Sequence, residues 1–220
     1  MISLLQKKGI NLSTLKKFHV GYYNGNKLYG NVPPIMHQLK SKWGNMPRLV
    51  FPIYNVYNEL ITIGYRTDKI KFFYETSINN SNDPLFFGLN YTYENIINTD
   101  ELILVEGIFD FLILYQFGIH NVVCNLGTSI NPYKFLYLSR FTKSILVAFD
   151  NDPAGKLATK KIECYGRKYN VSILDLKLPI DPDEYILFIK KEGFLKWIQF
   201  IKTNTQKHVT TPLNLSIKEK

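Results

Sequence analysis

The chain has 220 residues, enough for one large domain or two small ones. Hydrophobic residues make up 45% of it and aromatic residues 15%, which supplies a core and excludes disorder along the whole length. The net charge of +9 favours a polyanionic partner such as nucleic acid, although a solvated basic surface would carry the same charge.

Two cysteines, Cys124 and Cys164, are too few for an ordinary thiolate zinc site, and neither belongs to a Cys-x-x-Cys pair. His19, His37, His120 and His208 have no ligand spacing, so no zinc is expected. No stretch approaches the ~18 apolar residues of a membrane span. The apolar run in Met1 to Lys8 is too short for a secretory signal. The expectation is a cytoplasmic protein with no membrane partner.

In chain order, Ser13 to Phe18 reads as a short amphipathic helix or turn. Arg48 to Tyr54 and Glu59 to Tyr65 read as two strands of a hairpin around Asn55-Val56-Tyr57-Asn58. Lys69 to Glu75 is a third strand, followed by a polar loop from Ser77 to Pro84. Near residue 100 the composition shifts from Tyr, Asn, Gly and Pro to apolar strands alternating with amphipathic helices. Strands are predicted over Leu102–Val105, Asn121–Cys124, Ser144–Phe149 and Val171–Leu176. Helices are predicted over Phe109–Phe117, from Pro132, from Pro153 to Tyr169 with Asp152 as N-cap, and over Asp183–Ile201. Such alternation implies a parallel sheet covered on both faces, preceded by a smaller mixed α+β unit. The expected division is a basic subdomain over 1–98, a catalytic subdomain over 99–202 and a flexible polar tail over 203–220.

Acidic residues sit just past the strand ends. Glu106 follows LILV directly, and Asp110 comes four residues later on the first helical turn. Asp150 and Asp152 follow SILVAF, and Asp181 and Asp183 follow VSILDLKLPI. If the strands are parallel, all three clusters converge on one rim, where open α/β sheets bind ligands. Crowded carboxylates disfavour each other's ionisation, and a divalent cation relieves this. The alternative for each carboxylate is a helix cap or a solvated loop position, and Asp152 before Pro153 is a good cap on its own merits.

The segments ELILVEGIFD (101–110), NLGTS (125–129) and ILVAFDNDPAG (145–155) together resemble the Toprim domain. LGTS, DNDPAG and the later IDPDEY (180–185) are closest to its branch in DnaG-type primases. Upstream, RLVFPI (48–53), ITIGYR (61–66), KFFYETS (71–77), LFFGLN (85–90) and GINLSTLKKFHVGYY (9–23) are similar to the basic subdomain that precedes Toprim in that family. Departures are Gly64-Tyr65-Arg66 for the common Gly-Gly-Arg, Lys71-Phe72 for a Lys-Tyr pair, and Asp150-Asn151-Asp152 for Asp-Gly-Asp.

The resemblance implies a Toprim-type α/β fold and a DNA primase that makes short RNA primers on single-stranded DNA from ribonucleoside triphosphates. It implies Glu106, Asp150 and Asp152 as catalytic residues. Mg²⁺ or Mn²⁺ would be held by Glu106, Asp110, Asp150, Asp152, Asp181 and Asp183, and nucleotide and template by Arg48, Arg66 and Lys71. The family's zinc-binding and helicase-binding domains have no counterpart in the matched motifs, so a replicative helicase and a zinc-binding domain supplied in trans are expected partners. Two rivals use the same motifs: a Toprim nuclease and a non-catalytic nucleic-acid binding protein of the recombination-mediator type.

Overall fold

A computed structural model of the chain describes residues 2–37, 44–67, 73–74 and 83–209. The first part contains α1 (Ile2–Lys7), α2 (Leu12–Lys17), β1 (Gly21–Tyr23), β2 (Leu28–Tyr29), a 3-10 turn (Pro34–His37), β3 (Arg48–Tyr54), β4 (Leu60–Arg66) and β5 (Phe73–Tyr74). The second contains α3 (Leu89–Thr99), β6 (Leu102–Val105), α4 (Ile108–Gln116), β7 (Val122–Cys124), α5 (Pro132–Leu138), β8 (Ser144–Ala148), α6 (Pro153–Tyr169), β9 (Ser172–Asp175) and α7 (Pro182–Val209).

The first sheet is antiparallel in the order β2-β1-β3-β4-β5. Its centre is the predicted hairpin, paired from Leu49↔Arg66 to Tyr54↔Leu60. The turn closes because Asn55 Oδ1 accepts from the backbone N–H groups of Tyr57 and Glu59, both at 3.0 Å. Asn58 takes the left-handed conformation, at φ 62°, that asparagine tolerates. Both faces of β3 are covered. Leu49, Phe51 and Ile53 enter the largest apolar cluster, while Val50 joins Met36, Ile63 and Tyr65 in a smaller one behind. The expected third strand, Lys69 to Glu75, falls mostly outside the described residues, as does most of the loop from Ser77 to Pro84.

The second sheet is parallel in the order β7-β6-β8-β9, as the alternation predicts. β6 and β7 are buried along their whole length, and β8 from its second residue onward. One face, with Ile103, Val105 and Leu146, packs on α4 and α7; the other, with Leu102, Leu104, Ile145 and Val147, packs on α3, α5 and α6. Phe111 to Leu114 are fully buried, so α4 is covered on every side past its first turn, as suits a helix caught between a sheet and a second helix.

The two sheets share a core. Phe18, Phe87 and Phe111 meet ring to ring at 5.0 to 6.0 Å, and Phe51 reaches the same group through Phe87. Phe87 also exchanges backbone hydrogen bonds with Cys124, docking the connecting segment on β7. α1, α3, β1 and β2 were not predicted. α7 consists of two helical stretches meeting at Lys190, whose φ of 61° is non-helical. It continues through Val209, into the segment expected as a flexible tail, and residues 210–220 lie outside those described. No helix among the described residues is long and apolar enough to cross a membrane.

Candidate active site

The parallel strands stop together, and each delivers an acidic residue to the same edge. At the end of β6, Glu106 and Gly107 turn the chain into α4. The Gly107 N–H donates to Asp110 Oδ2 at 3.1 Å. A Cβ on Gly107 would lie 2.7 Å from that oxygen, so any larger residue would push the carboxylate back from the turn. Asp110 Oδ1 accepts from the Asp183 N–H at 3.2 Å, which ties the start of α7 to the start of α4. Asp110 is buried. That burial, with the charges of Asp183 and Asp150 added, pushes its carboxyl well above the usual range.

The loop after β7 lies across the backbone of Glu106. The Glu106 carbonyl accepts from the Gly127 N–H at 3.0 Å and from the Cys124 thiol at 3.2 Å. Asn125 Nδ2 donates to the carbonyls of Gly127 and Ser129, while Lys134 Nζ donates to the Asn125 carbonyl at 2.7 Å. Burial over the Phe86 ring pushes the Lys134 ammonium down to about 8.

After β8 the two predicted carboxylates diverge. Asp150 lines the cleft, whereas Asp152 Oδ1 accepts from the Gly155 N–H at 2.7 Å and caps α6. Asp-x-Asp in a straight strand would place both side chains on one face; here the segment already bends into the helix at Asp152. The structure therefore gives Asp152 the cap role and does not place it among the residues that line the cleft.

The third cluster opens α7. Asp181, Asp183 and Glu184 offer carboxylate oxygens within 4.8 Å of one another. Asp183 is 2% exposed. Its Oδ2 sits 2.6 Å from Lys8 Nζ, and its Oδ1 is buried with no hydrogen-bond partner among the described residues. Lys8 and Glu184 escaped the sequence reading; Glu184 lies inside the quoted IDPDEY, but nothing local marks Lys8.

Glu106, Asp110, Asp150, Asp181 and Asp183 thus line one cleft of about 500 Å³, joined by Lys8 and Arg66. Arg66 ends β4 with its guanidinium 4.5 Å from the centre of the Phe109 ring. Burial lowers its pKa, and the charges of Asp183 and Asp110 oppose that shift. Arg48 does not join it. β-Strand neighbours alternate faces, and the register pairs Arg66 with Leu49, so Arg48 points to the other side of the sheet. There it is buried between the rings of Tyr23 and Tyr65, at 4.4 and 5.0 Å, and its Nη1 donates to the carbonyls of Gly44 and Met46. Of the arginines expected to hold nucleotide and template, the structure thus brings Arg66 to the cleft and turns Arg48 to the opposite face of the sheet. Lys71 lies outside the described residues.

Residues 103–186 match the family model described as Toprim-like. A DNA primase of Clostridium acetobutylicum is 29% identical over 215 residues, covering 87% of this chain and 36% of the relative. The solved structure of the Aquifex aeolicus primase, with zinc-binding and RNA polymerase domains, superposes with a TM-score of 0.74 at 27% identity, over 90% of this chain and 55% of that one. Residues 103–186 are Toprim-like, and the chain is similar to DnaG-type primases. A DnaG primase catalytic domain solved with single-stranded DNA shares the fold, at a TM-score of 0.68 and 22% identity over 90% of this chain and 72% of that one. The chain spans about a third of the length of the curated relatives it matches.

Proposed function

We propose that the chain is the catalytic core of a DNA primase, joining ribonucleotides into short RNA primers on a single-stranded DNA template. The observation that carries the reading is the meeting of five carboxylates, Glu106, Asp110, Asp150, Asp181 and Asp183, in one cleft with Arg66 on its wall. The primase relatives and the Toprim-like match over 103–186 support it.

The residues fit divalent cations. The donors are all oxygens, the preference of Mg²⁺ and Mn²⁺. Asp183 keeps a buried oxygen without a partner, and Asp110 holds its proton unusually firmly, both signs of a donor set short of positive charge. Glu106, Asp110, Asp150, Asp181 and Asp183 would hold such ions, which would supply positive charge to offset the negative charge that builds during phosphoryl transfer. In the reaction a 3′-hydroxyl oxygen bonds to the α-phosphorus of a ribonucleoside triphosphate and pyrophosphate leaves.

In this reading Glu106 and Asp150 are the central catalytic carboxylates, and Asp152 supports them through the α6 cap. Asp110 and Asp183, locked together by the backbone bond between them, give the rim its shape. Arg66 presents its planar fork to phosphate oxygens, with Phe109 behind it. Lys71 is assigned to the template or nucleotide, and Arg48 to holding the basic sheet together. Residues 1–98 would grip nucleic acid and 99–202 hold the metals. Base pairing selects each nucleotide, and backbone contacts make binding salt-dependent. A replicative helicase and a zinc-binding domain belong to the proposal as partners.

The test supplies single-stranded DNA, labelled ATP or GTP, and Mg²⁺ or Mn²⁺. New short oligoribonucleotides, abolished by Asp150→Ala, are the expected result. Metal-dependent loss of the input strand without nucleotides would replace the primase with a nuclease.

A further inference from the structure

Lys8 reaches the acidic cleft from the opposite end of the chain, and its backbone is fixed before its side chain arrives. α1 ends in a left-handed turn at Gly9, φ 71°, with Gly9 N–H donating to the Gln6 carbonyl and Ile10 N–H to the Leu5 carbonyl. Gln116 of α4 clamps that turn, donating from Nε2 to the Gly9 carbonyl at 2.9 Å and accepting from the Asn11 N–H at 2.8 Å. From this anchored position Lys8 Nζ stands 2.6 Å from Asp183 Oδ2 and 3.6 Å from Glu184 Oε1. Those are two of the three carboxylates whose oxygens approach within 4.8 Å. The ammonium satisfies only one oxygen of Asp183, and the buried Oδ1 keeps no hydrogen-bond partner among the described residues.

We propose that Lys8 is a built-in counter-ion that holds the Asp183–Glu184 side of the cleft together without metal and yields its place to a divalent cation, so that metal affinity is set by competition with this lysine. The proposal rests on the metal-binding reading given above. One ammonium neutralises part of the charge of a crowded carboxylate group, and a divalent cation neutralises more. The two cations repel and draw on the same Asp183 oxygens, so one excludes the other. The lysine prevents an uncompensated buried carboxylate, the arrangement that most destabilises a fold. Its cost is weaker metal binding, because the ion pair must open first.

The test is calorimetric titration of the full chain with Mn²⁺, for wild type and Lys8→Met, alongside melting temperatures with and without the ion. Lys8→Met is expected to bind Mn²⁺ more tightly, on the order of tenfold, the scale of one modest ion pair. It should also melt lower without metal and recover when Mn²⁺ is added. A purely structural lysine would lower the melting temperature and leave Mn²⁺ affinity unchanged or weaker, which overturns the proposal. A second measurement needs no variant. Amine acylation of the wild type, read by peptide mass spectrometry, should find Lys8 protected relative to Lys7 and deprotected by Mn²⁺. Protection that persists at saturating Mn²⁺ also overturns it. Mn²⁺ uptake by wild type with neither change sinks the role of Lys8 alone; no uptake by either protein sinks the metal reading and this proposal with it.

Discussion

Asp152 and Lys134 show how a charged side chain near a cleft serves the backbone as well as the chemistry. Asp152 completes the first turn of α6 by accepting from Gly155 N–H. Asp152→Ala should cost about 1 kcal/mol of stability in chemical unfolding, the usual worth of such a cap. Asp152→Asn keeps a capping oxygen and should restore most of that stability. It should also weaken Mn²⁺ binding far less than Asp150→Asn does; an equal loss would return Asp152 to the ligand set that the motif implies. Lys134 titrates near 8 in the folded protein against 10.5 for an ordinary lysine, because burial disfavours its charge. Between those values the unfolded chain binds more protons than the folded one, so this group makes the fold more stable as pH rises from about 8 toward 10.5. Its penalty is largest below that window. Lys134→Met should therefore lose ground to wild type in unfolding experiments as pH is raised through it, and a pH-independent difference would refute the assignment.

The elements that carry the carboxylates were legible because short apolar runs are punctuated there by residues with one structural meaning. Gly107, Pro132 and Pro153 each mark a strand-to-helix turn, and the observed β6, α5 and α6 begin or end beside them. α3 escaped because LNYTYENIINT is rich in Asn, Tyr and Thr, poor helix formers; burial of Leu89, Thr92 and Ile96 overrides that preference. The facing of Arg48 and Arg66 was equally hidden, since it depends on a register that no single strand encodes. Lys8 was beyond reach for a related reason: its partner Asp183 lies almost the whole chain away. The turn after β8 offers a direct test of how tightly these elements hold the site. A Cβ on Gly155 would sit 2.2 Å from the Asp150 carbonyl oxygen. Gly155→Ala should destabilise the fold by about 1–3 kcal/mol and displace Asp150, lowering Mn²⁺ affinity as well as melting temperature. A variant with unchanged affinity would mean the turn absorbs the methyl without moving the carboxylate.

At the scale of the whole molecule, the composition shift near residue 100 suggested two units, yet the largest apolar cluster draws on both. Leu49, Phe51 and Ile53 of the antiparallel sheet pack with Phe109 and Phe111 from the other half. The cleft depends on that joint, because Arg66 comes from one sheet and the carboxylates from the other, with Phe109 between them. Phe51 is fully buried at the seam, 6.1 Å from the Phe87 ring and 6.5 Å from the Phe109 ring. Phe51→Ala should cost about 3–5 kcal/mol, as for other buried aromatic truncations. The informative measurement is where that loss is felt. If the sheets fold as one cooperative unit, hydrogen exchange should accelerate to a similar degree in β3–β4 and in β6–β8. Acceleration confined to β3–β4 would mean that the halves are stable separately, and that the cleft is an interface able to open and close around a template.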